Sequence, residues 1–516
     1  MDSIELSIFS SRISAICAEM GALLQRAAFS PNIKDRLDFS CAVFDAQGDL
    51  CAQAAHIPVH LGSMAYATRD IVDQLDWSPG DMLIVNDPFL GGTHLPDVTL
   101  IAPVFFEKEL LGFVANRAHH ADIGANSPGS MPISTSLAEE GHVIPPSLLM
   151  RHGQLDQAFM AELLAGVSNP AQAEGDFTAQ ISANQLAQKR LHDLIEAAGK
   201  EDYKHAIKAL NEYGQRLARS CLDAIPDGEY HFVDRLDDDG IDTQNILIQV
   251  SIKVQGHHIK VDFSGTAAQV SGNINCPLSV AAAAVYYVFR CLMPAQTPAC
   301  AGSFRSIEIF APEGCLLNAK RPAAVAAGNV ETSTRVVDVV MGALAKAIPE
   351  QMAAASHGSM NNVAMGARSE KASWDYYETI GGGMGAHHMA DGLDALQTHM
   401  TNTLNTPVES LEIHYPLRIS RYEIRTDSGG NGQHKGGDGI LREFQFLQKT
   451  QVTLLTERRT NQPWGLAGGE PGLAGENRFN DQLIAAKTKL EVLPGDRLCI
   501  KTPGGGGYGE SHSGEE

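Results

Sequence analysis

Residues 3 to 28 carry apolar positions at helical spacing (Ile4, Ile8, Ile13, Ile16, Met20, Leu23 and Leu24), with Asp2 and Ser3 placed to cap the start, and predict an amphipathic N-terminal helix. From 39 to 119 the pattern shortens to the runs FSCAVFD, GDLCAQ, DMLIVND, VTLIAPVFF and ELLGFVANRA, each bounded by Gly, Asp or Pro. These predict a mainly antiparallel sheet. Between about 178 and 224 helical periodicity returns in Ala, Leu, Lys, Glu and Gln, as one long helix or two in succession that end before IPDGEY. A second strand-rich stretch, 229 to 264, opens a second domain, and its NILIQVSIKVQGHHIKVDFSG reads as a hairpin turned at Gln255 and Gly256. Ala-rich segments at 279 to 289 and 332 to 347 suit helices packed closely on a sheet. Beyond 427, glycine-rich segments (SGGNGQHKGGDG, AGGEPGLAG) alternate with strand-like runs such as ILREFQF and QVTLLTE.

The pattern predicts a multi-domain α+β chain of mainly antiparallel and mixed sheets with packed helices and a β-rich C-terminal region. Its regions are 1–225, with the N-terminal helix and a helical spine; 226–420, mixed α/β; 421–511, β-rich with glycine turns; and a mobile tail at 512–516. The length of 516 residues, with 44% hydrophobic and 19% charged, gives ample core and ordinary globular composition. A net charge of -22 without any Lys/Arg cluster argues against a nucleic-acid partner. MDSIELSIFSS has no basic segment ahead of an apolar stretch, and the longest apolar run, Leu278 to Phe289, is short of the roughly 20 residues that span a bilayer. Nine cysteines without C-x-x-C spacing read as reduced thiols. The expectation is a cytoplasmic protein that does not engage a membrane.

Candidate chemistry follows from the hairpins. A turn at Glu107 and Lys108 pairs residues whose numbers sum to about 215, which sets Asp97 beside Ala118 and His119, with His94 three residues upstream of Asp97. The hairpin turned at Ala46 to Gly48 brings Asp38 towards His56, so either supplies a fourth ligand if the two hairpins share a sheet. H-x-x-D alone is common by chance; convergence across a hairpin gives it weight. Two carboxylates and two imidazoles suit one divalent transition metal (Mn, Zn or ferrous Fe), with room for water whose pKa the ion lowers. His120 or Asp122 are alternatives to His119, but adjacent strand residues face opposite ways, so one of the two histidines binds. His56 and His60 read equally well as outer partners that hold carboxylates or loops. TPGGGGYG and SGGNGQHKGG lack the GK[ST] of a phosphate loop and read as structural turns; GGGMGAHHMADG, with His387 and His388, is either a loop over a site or a packed glycine turn. Neither a G-x-S-x-G elbow nor a dinucleotide fingerprint is present.

The segments DRLDFSCAVFDAQGDLCAQAAHIPVHLGSM (35 to 64), PGDMLIVNDPFLGGTHLPDVTL (79 to 100), ANRAHHADIG (115 to 124), VDFSGTAAQVSGNIN (261 to 275), HMTNTLNTPVE (399 to 409) and PGDRLCIKTPGGGGYG (494 to 509) run in order along nearly the whole chain. Together they resemble the hydantoinase B, oxoprolinase and acetone carboxylase alpha-subunit family. The resemblance implies a two-component enzyme: a hydantoinase A-like ATPase subunit, which binds ATP and Mg, phosphorylates the carbonyl oxygen of a small cyclic amide, and a chain like this one opens the activated ring at a metal centre. It places the metal on Asp38, His94, Asp97 and His119, with His120 or Asp122 for proton transfer, in a homodimer within a hetero-oligomer. THLPD and NRAHHADIG favour amide hydrolysis over ketone carboxylation, and the complete ligand set over a non-catalytic scaffold.

Overall fold

The computed structural model describes residues 2–54, 56–368 and 373–511; the tail expected at 512–516 lies outside them. Helix α1 (Ser3–Ala27) starts in a capping box, the Asp2 carboxylate accepting from the Ile4 and Glu5 amides at 2.8 Å while Glu5 reaches back to the Asp2 amide. It is long and apolar enough to cross a membrane by length and composition alone. Its face Phe9, Ile13, Ile16, Met20 and Leu24 is nevertheless part of the first sheet's core. Short α2 (Pro31–Lys34) leads into that sheet.

The first sheet contains β1 (Phe39–Asp45), β2 (Leu50–Gln53), β3 (Met82–Val85), β4 (Asp97–Phe106), β5 (Glu109–His119), β6 (Ser147–Arg151) and β7 (Gln154–Leu155), in the order β2-β1-β5-β4-β3-β6-β7 and antiparallel throughout. Glu107 and Lys108 both have positive φ, as a two-residue hairpin whose twist matches its strands requires. Near that turn the paired numbers sum to 215, and past an irregularity at Val104/Phe105 to 216, which puts Asp97 directly opposite His119.

Helix α3 (Pro58–Val72), a segment the strand-rich reading of 39 to 119 did not single out, covers one face of the sheet through Leu61, Met64, Ala67 and Ile71. Beyond the short α4 (Gln157–Leu164), the spine is α5 (Pro170–Ala198) and α6 (Lys200–Leu222), divided at Gly199; α5 and α1 cover the other face. The pleat therefore sorts β5: Phe113, Ala115, Arg117 and His119 look towards α3, while Val114, Asn116, Ala118 and His120 look towards α5.

A second sheet of β8 (Gly228–Asp238), β9 (Gln244–Gln255), β10 (His258–Asp262) and β11 (Ile307–Phe310) packs under α7 (Leu278–Leu292) and α8 (Ser333–Leu344). Its hairpin pairs Gln255 with His258, so the turn residues are Gly256 and His257, one place later than the sequence predicts. The third sheet joins β12 (Asn362–Ala367) and β13 (Trp374–Glu378) to strands at Thr450–Leu455 and Lys487–Val492, and so takes strands from both sides of residue 420. A five-stranded sheet from Leu417–Arg425 to Arg497–Lys501 shares its core.

AGGEPGLAG opens on a turn, Ala467 and Gly468 having positive φ and the Gly469 amide donating to the Leu466 carbonyl at 3.0 Å, but the glycine run of TPGGGGYG is not a turn, which corrects the sequence reading. None of Gly504 to Gly507 has positive φ. They run as an extended chain whose successive amides bond to different neighbours: Gly504 to Leu473, Gly505 to Gly437, Gly506 to Ala355, then Gly507 to Glu470 and Tyr508 to His434. That three-residue alternation is the signature of a polyproline-II-like chain inside a bundle. Glycine is required by close approach, since a Cβ on Gly505 would lie 2.0 Å from the Met384 carbonyl oxygen and one on Gly383 1.8 Å from that of Gly437. His387 and His388 belong to this bundle, His387 in bridges to Ala353 and Ala390.

Candidate metal centre

At the open end of the β4–β5 hairpin, His94, Asp97 and His119 each offer a ligand atom within 4.8 Å of the others, and all three are buried. His94 Nε2 lies 3.2 Å and His119 Nδ1 3.3 Å from Asp97 Oδ1. Despite that proximity, Asp97 Oδ1, His94 Nε2 and His119 Nε2 have no hydrogen-bond partner. Buried polar atoms without partners cost about 1–3 kcal/mol each, so one on each of three adjoining residues calls for a further group.

The other atoms of these residues are held. His94 Nδ1 is 3.1 Å from the Ala326 carbonyl oxygen, which keeps the proton on Nδ1 and leaves the Nε2 lone pair free. Asp97 Oδ2 accepts from Thr93 Oγ1 at 2.7 Å and Asn329 Nδ2 at 3.2 Å. Asn329 belongs to a π-turn, Gly328–Thr332, ahead of α8. The His119 ring stacks on Tyr377 of β13, with centroids 4.7 Å apart and planes 7° from parallel. Tyr377 in turn carries the Arg36 guanidinium over its ring and accepts from Arg36 Nη1 through its carbonyl at 2.9 Å. Arg36 Nη2 lies 3.6 Å from Asp38 Oδ2. The first sheet thus provides the ligand-type side chains, and the rest of the chain fixes their orientation.

Burial penalises charge here, and the pairings decide each case. Burial raises Asp97, but His60 and His94 outweigh it and hold the carboxyl well below its ordinary range. Burial opposes the His94 cation, yet Asp97 raises it overall; for His119 burial prevails over Asp97 and Asp38, and its pKa falls. Burial pushes Glu140 up to about 7, where it receives the Val325 and Ala326 amides and steadies the carbonyl that His94 uses. Two imidazole nitrogens and a bare carboxylate oxygen, with a second carboxylate beside them, are the donor set of a divalent transition metal.

Of the residues singled out in the sequence, Asp38 stands at the edge of the cluster, 3.9 Å from His60 Nε2. His56 turns elsewhere: its Nδ1 accepts from the Cys41 amide at 3.2 Å and its ring packs edge-on to Phe39, so of the two residues expected as a fourth ligand Asp38 is the one at the cluster's edge, outside the converging three. His120 and Asp122 are not brought to the cluster either. His120, one residue on from His119, turns to the α5 face, where Nε2 meets Gln180 Oε1 at 2.9 Å; Asp122 accepts from Ser130 Oγ and the Gly124 and Ser168 amides. Both line a separate cleft of about 450 Å³ with Asp176 and Asp375. The residue given too little weight is His60, whose Nε2 is 3.2 Å from Asp97 Oδ2. A signal for it existed, since Pro58 can open a helix and Met64, Ala67 and Ile71 recur at helical spacing.

A family model described as hydantoinase B/oxoprolinase matches residues 2–511. An uncharacterized protein of Methanocaldococcus jannaschii is 40% identical, the alignment spanning 99% of this chain and 91% of that protein. The 5-oxoprolinase 1 of Arabidopsis thaliana is 38% identical over 99% of this chain and 42% of its own length, so the chain spans about two fifths of that relative. A Pseudomonas protein named for the B-type subunit of a D-/L-hydantoinase is 32% identical, over 99% and 90%. Among solved structures, the ATP-dependent caprolactamase of Pseudomonas jessenii superposes with a TM-score of 0.92 at 27% identity, over 99% of this chain and 91% of that one. An acetone carboxylase shares the fold at a TM-score of 0.89 and 18% identity, over 98% and 76%.

Proposed function

The chain belongs to the hydantoinase B/oxoprolinase family, and from that premise we propose that it is the metal-dependent, ring-opening subunit of an ATP-dependent cyclic amide hydrolase. The observation that carries this is the buried set of His94, Asp97 and His119, each offering a ligand-type atom within 4.8 Å of the others and each with a polar atom that has no hydrogen-bond partner. Asp38, His94, Asp97 and His119 are the residues that would hold one divalent ion, Mn, Zn or Fe. The substrate class is a hydantoin, 5-oxoproline or a related lactam, activated on its amide oxygen by a hydantoinase A-like ATPase subunit that holds ATP and Mg. The setting is the cytoplasm, in keeping with nine free cysteines, as a homodimer within a hetero-oligomer.

An unstrained lactam opens slowly because amide resonance makes its carbonyl a poor electrophile and its ring nitrogen a poor leaving group; phosphorylation of the oxygen removes the first obstacle, and a proton delivered to the nitrogen as the C–N bond breaks removes the second. A divalent ion, when bound, supplies Lewis acidity towards the developing oxyanion and the attacking water. The chain's own residues prepare that chemistry. His94 is fixed by Ala326 with Nε2 turned towards Asp97, and Asp97, loaded with donors on Oδ2, keeps Oδ1 free of hydrogen bonds. Asp38 borders the cluster with 9% of its side chain exposed, against 0–3% for the other three. His120 and Asp122 face the cleft on the far side of β5, so neither lies where a proton would be removed at the cluster.

The test is elemental analysis of protein purified without chelators or a His-tag, followed by a lactam screen with the ATPase partner and ATP. About one transition metal per chain, with ATP-dependent ring opening, supports the reading. Metal-free protein that opens lactams at full rate, or a metal-loaded complex that carboxylates ketones and leaves lactams untouched, sinks it.

A further inference from the structure

We propose that His60 is a positioning residue that ties Asp38 to Asp97 and commits Asp97 to offering a single oxygen to the cation; the inference rests on the metal reading of the cluster. His60 lies in the first turn of α3 and is 1% exposed. Its Nε2 stands between the two carboxylates, 3.2 Å from Asp97 Oδ2 and 3.9 Å from Asp38 Oδ1. Its Nδ1 lies 3.5 Å from Ser40 Oγ. That hydroxyl accepts from the Ile57 amide at 3.2 Å and lies 3.5 Å from both the Ile57 carbonyl oxygen and Nδ1; the two carboxylate oxygens facing Nε2, which can only accept, are what call for a ring proton on Nε2.

The distribution of donors around Asp97 gives the inference its content. Oδ2 accepts from the Thr93 hydroxyl and the Asn329 amide and has the His60 ring at 3.2 Å, whereas Oδ1 accepts no hydrogen bond and faces only the rings of His94 and His119, at 3.2 and 3.3 Å. A carboxylate with one oxygen saturated and the other bare is set up to ligate through the bare one. The same saturation leaves Oδ2 without a lone pair for a second cation on the His60 side, so His60 acts as a donor to carboxylates rather than as a ligand of its own ion. Its spacing from Asp38 spans two packed elements: β1 follows Asp38 directly, and α3 is laid across that strand's sheet.

Metal-free wild type, His60→Gln and His60→Ala are titrated with cobalt(II), following the visible d–d absorption for the donor set and competition with a chromogenic chelator for affinity, with near-ultraviolet circular dichroism as the check on folding. A glutamine amide can still donate to Asp97, and an alanine cannot. The expected result is one shared spectrum for wild type and His60→Gln at similar affinity, and about 10–100-fold weaker binding by His60→Ala, the range typical of partners that orient ligands. Equal affinity in His60→Ala would show that the ring does nothing for the site. A folded His60→Gln that loses the metal, or binds it with an altered d–d band, would make His60 a ligand and overturn the positioning role. If His60→Ala does not fold, His60→Gln alone decides between these outcomes. Wild type that takes up no cobalt would instead bring down the metal reading, and this inference with it.

Discussion

Two buried polar regions of this protein are built from similar residue types and differ in what they lack. Between the second and third sheets, Arg458 pairs with Asp338 and, at 2.7 Å, with Asp234; Lys487 Nζ meets Glu457 Oε1 at 2.6 Å; and Arg335 Nη2 lies 3.4 Å from Glu457. Asp237 is satisfied by the Arg459, Thr460 and Asn461 amides. Positive and negative groups compensate there, and the network fastens β8 and α8 to the 457–461 segment. At the end of β4 and β5 the free atoms are lone-pair donors, two imidazole nitrogens and a carboxylate oxygen, with no cation among them. Burial makes both regions expensive, and the first also keeps partnerless atoms (Asp338 Oδ1, Arg335 Nε and Arg458 Nε), but there guanidinium and carboxylate compensate one another, whereas the second is the one whose cost a bound cation would remove. The contrast separates a structural charge network from a site, which counting buried charges does not.

The sharpest way to break the comparison is to neutralise the cluster. Asp97→Asn keeps the shape and removes the charge; metal content should fall from about one per chain to near zero, and ring opening with the partner by at least ~10²-fold. Retained metal at unchanged activity would return Asp97 to a structural role. Next in size is Arg458→Met, which strands Asp234 and Asp338 and should cost about 3–5 kcal/mol in denaturant unfolding, while the metal bound per folded chain stays unchanged. Loss of metal in that variant would mean that the two regions are one.

A smaller effect is expected at Glu331, which burial and the neighbouring Glu457 raise to about 8. The folded chain then holds a proton that the unfolded chain releases near the ordinary glutamate value, so stability should fall as pH rises between about 4.5 and 8. Glu331→Gln should flatten that part of a stability–pH profile; an unchanged slope would place the titration elsewhere. The smallest change is Tyr377→Phe, which keeps the ring under His119 and removes the hydrogen bond to Asn362 Oδ1. It should cost roughly 1 kcal/mol of stability with little change in metal affinity. A large loss of affinity would show that the hydroxyl, rather than the ring, supports His119.

The convergence of His94, Asp97 and His119 was legible because it depends on short-range rules. A two-residue turn sets the register of β4 and β5 to within one residue, so that Asp97 falls beside Ala118 and His119; the irregularity at Val104/Phe105 then puts it opposite His119, and period two sends His119 and His120 to opposite faces. These relations need nothing from the rest of the chain. N-terminal capping, the helical spine and the Ala-rich helices followed in the same way from local periodicity.

What only the tertiary structure decided is which side chains meet across elements with no sequence relation. His60 reaches Asp97 because α3 lies across the first sheet; Asn329 and Tyr377 arrive from the π-turn and β13; and the glycine run of TPGGGGYG proved to be a packed chain because its partners lie in four separate stretches. Pairing rules inside a hairpin are fixed by backbone geometry over a few residues. The approach of distant elements is fixed by the fit of whole surfaces, and local spacing carries no record of it.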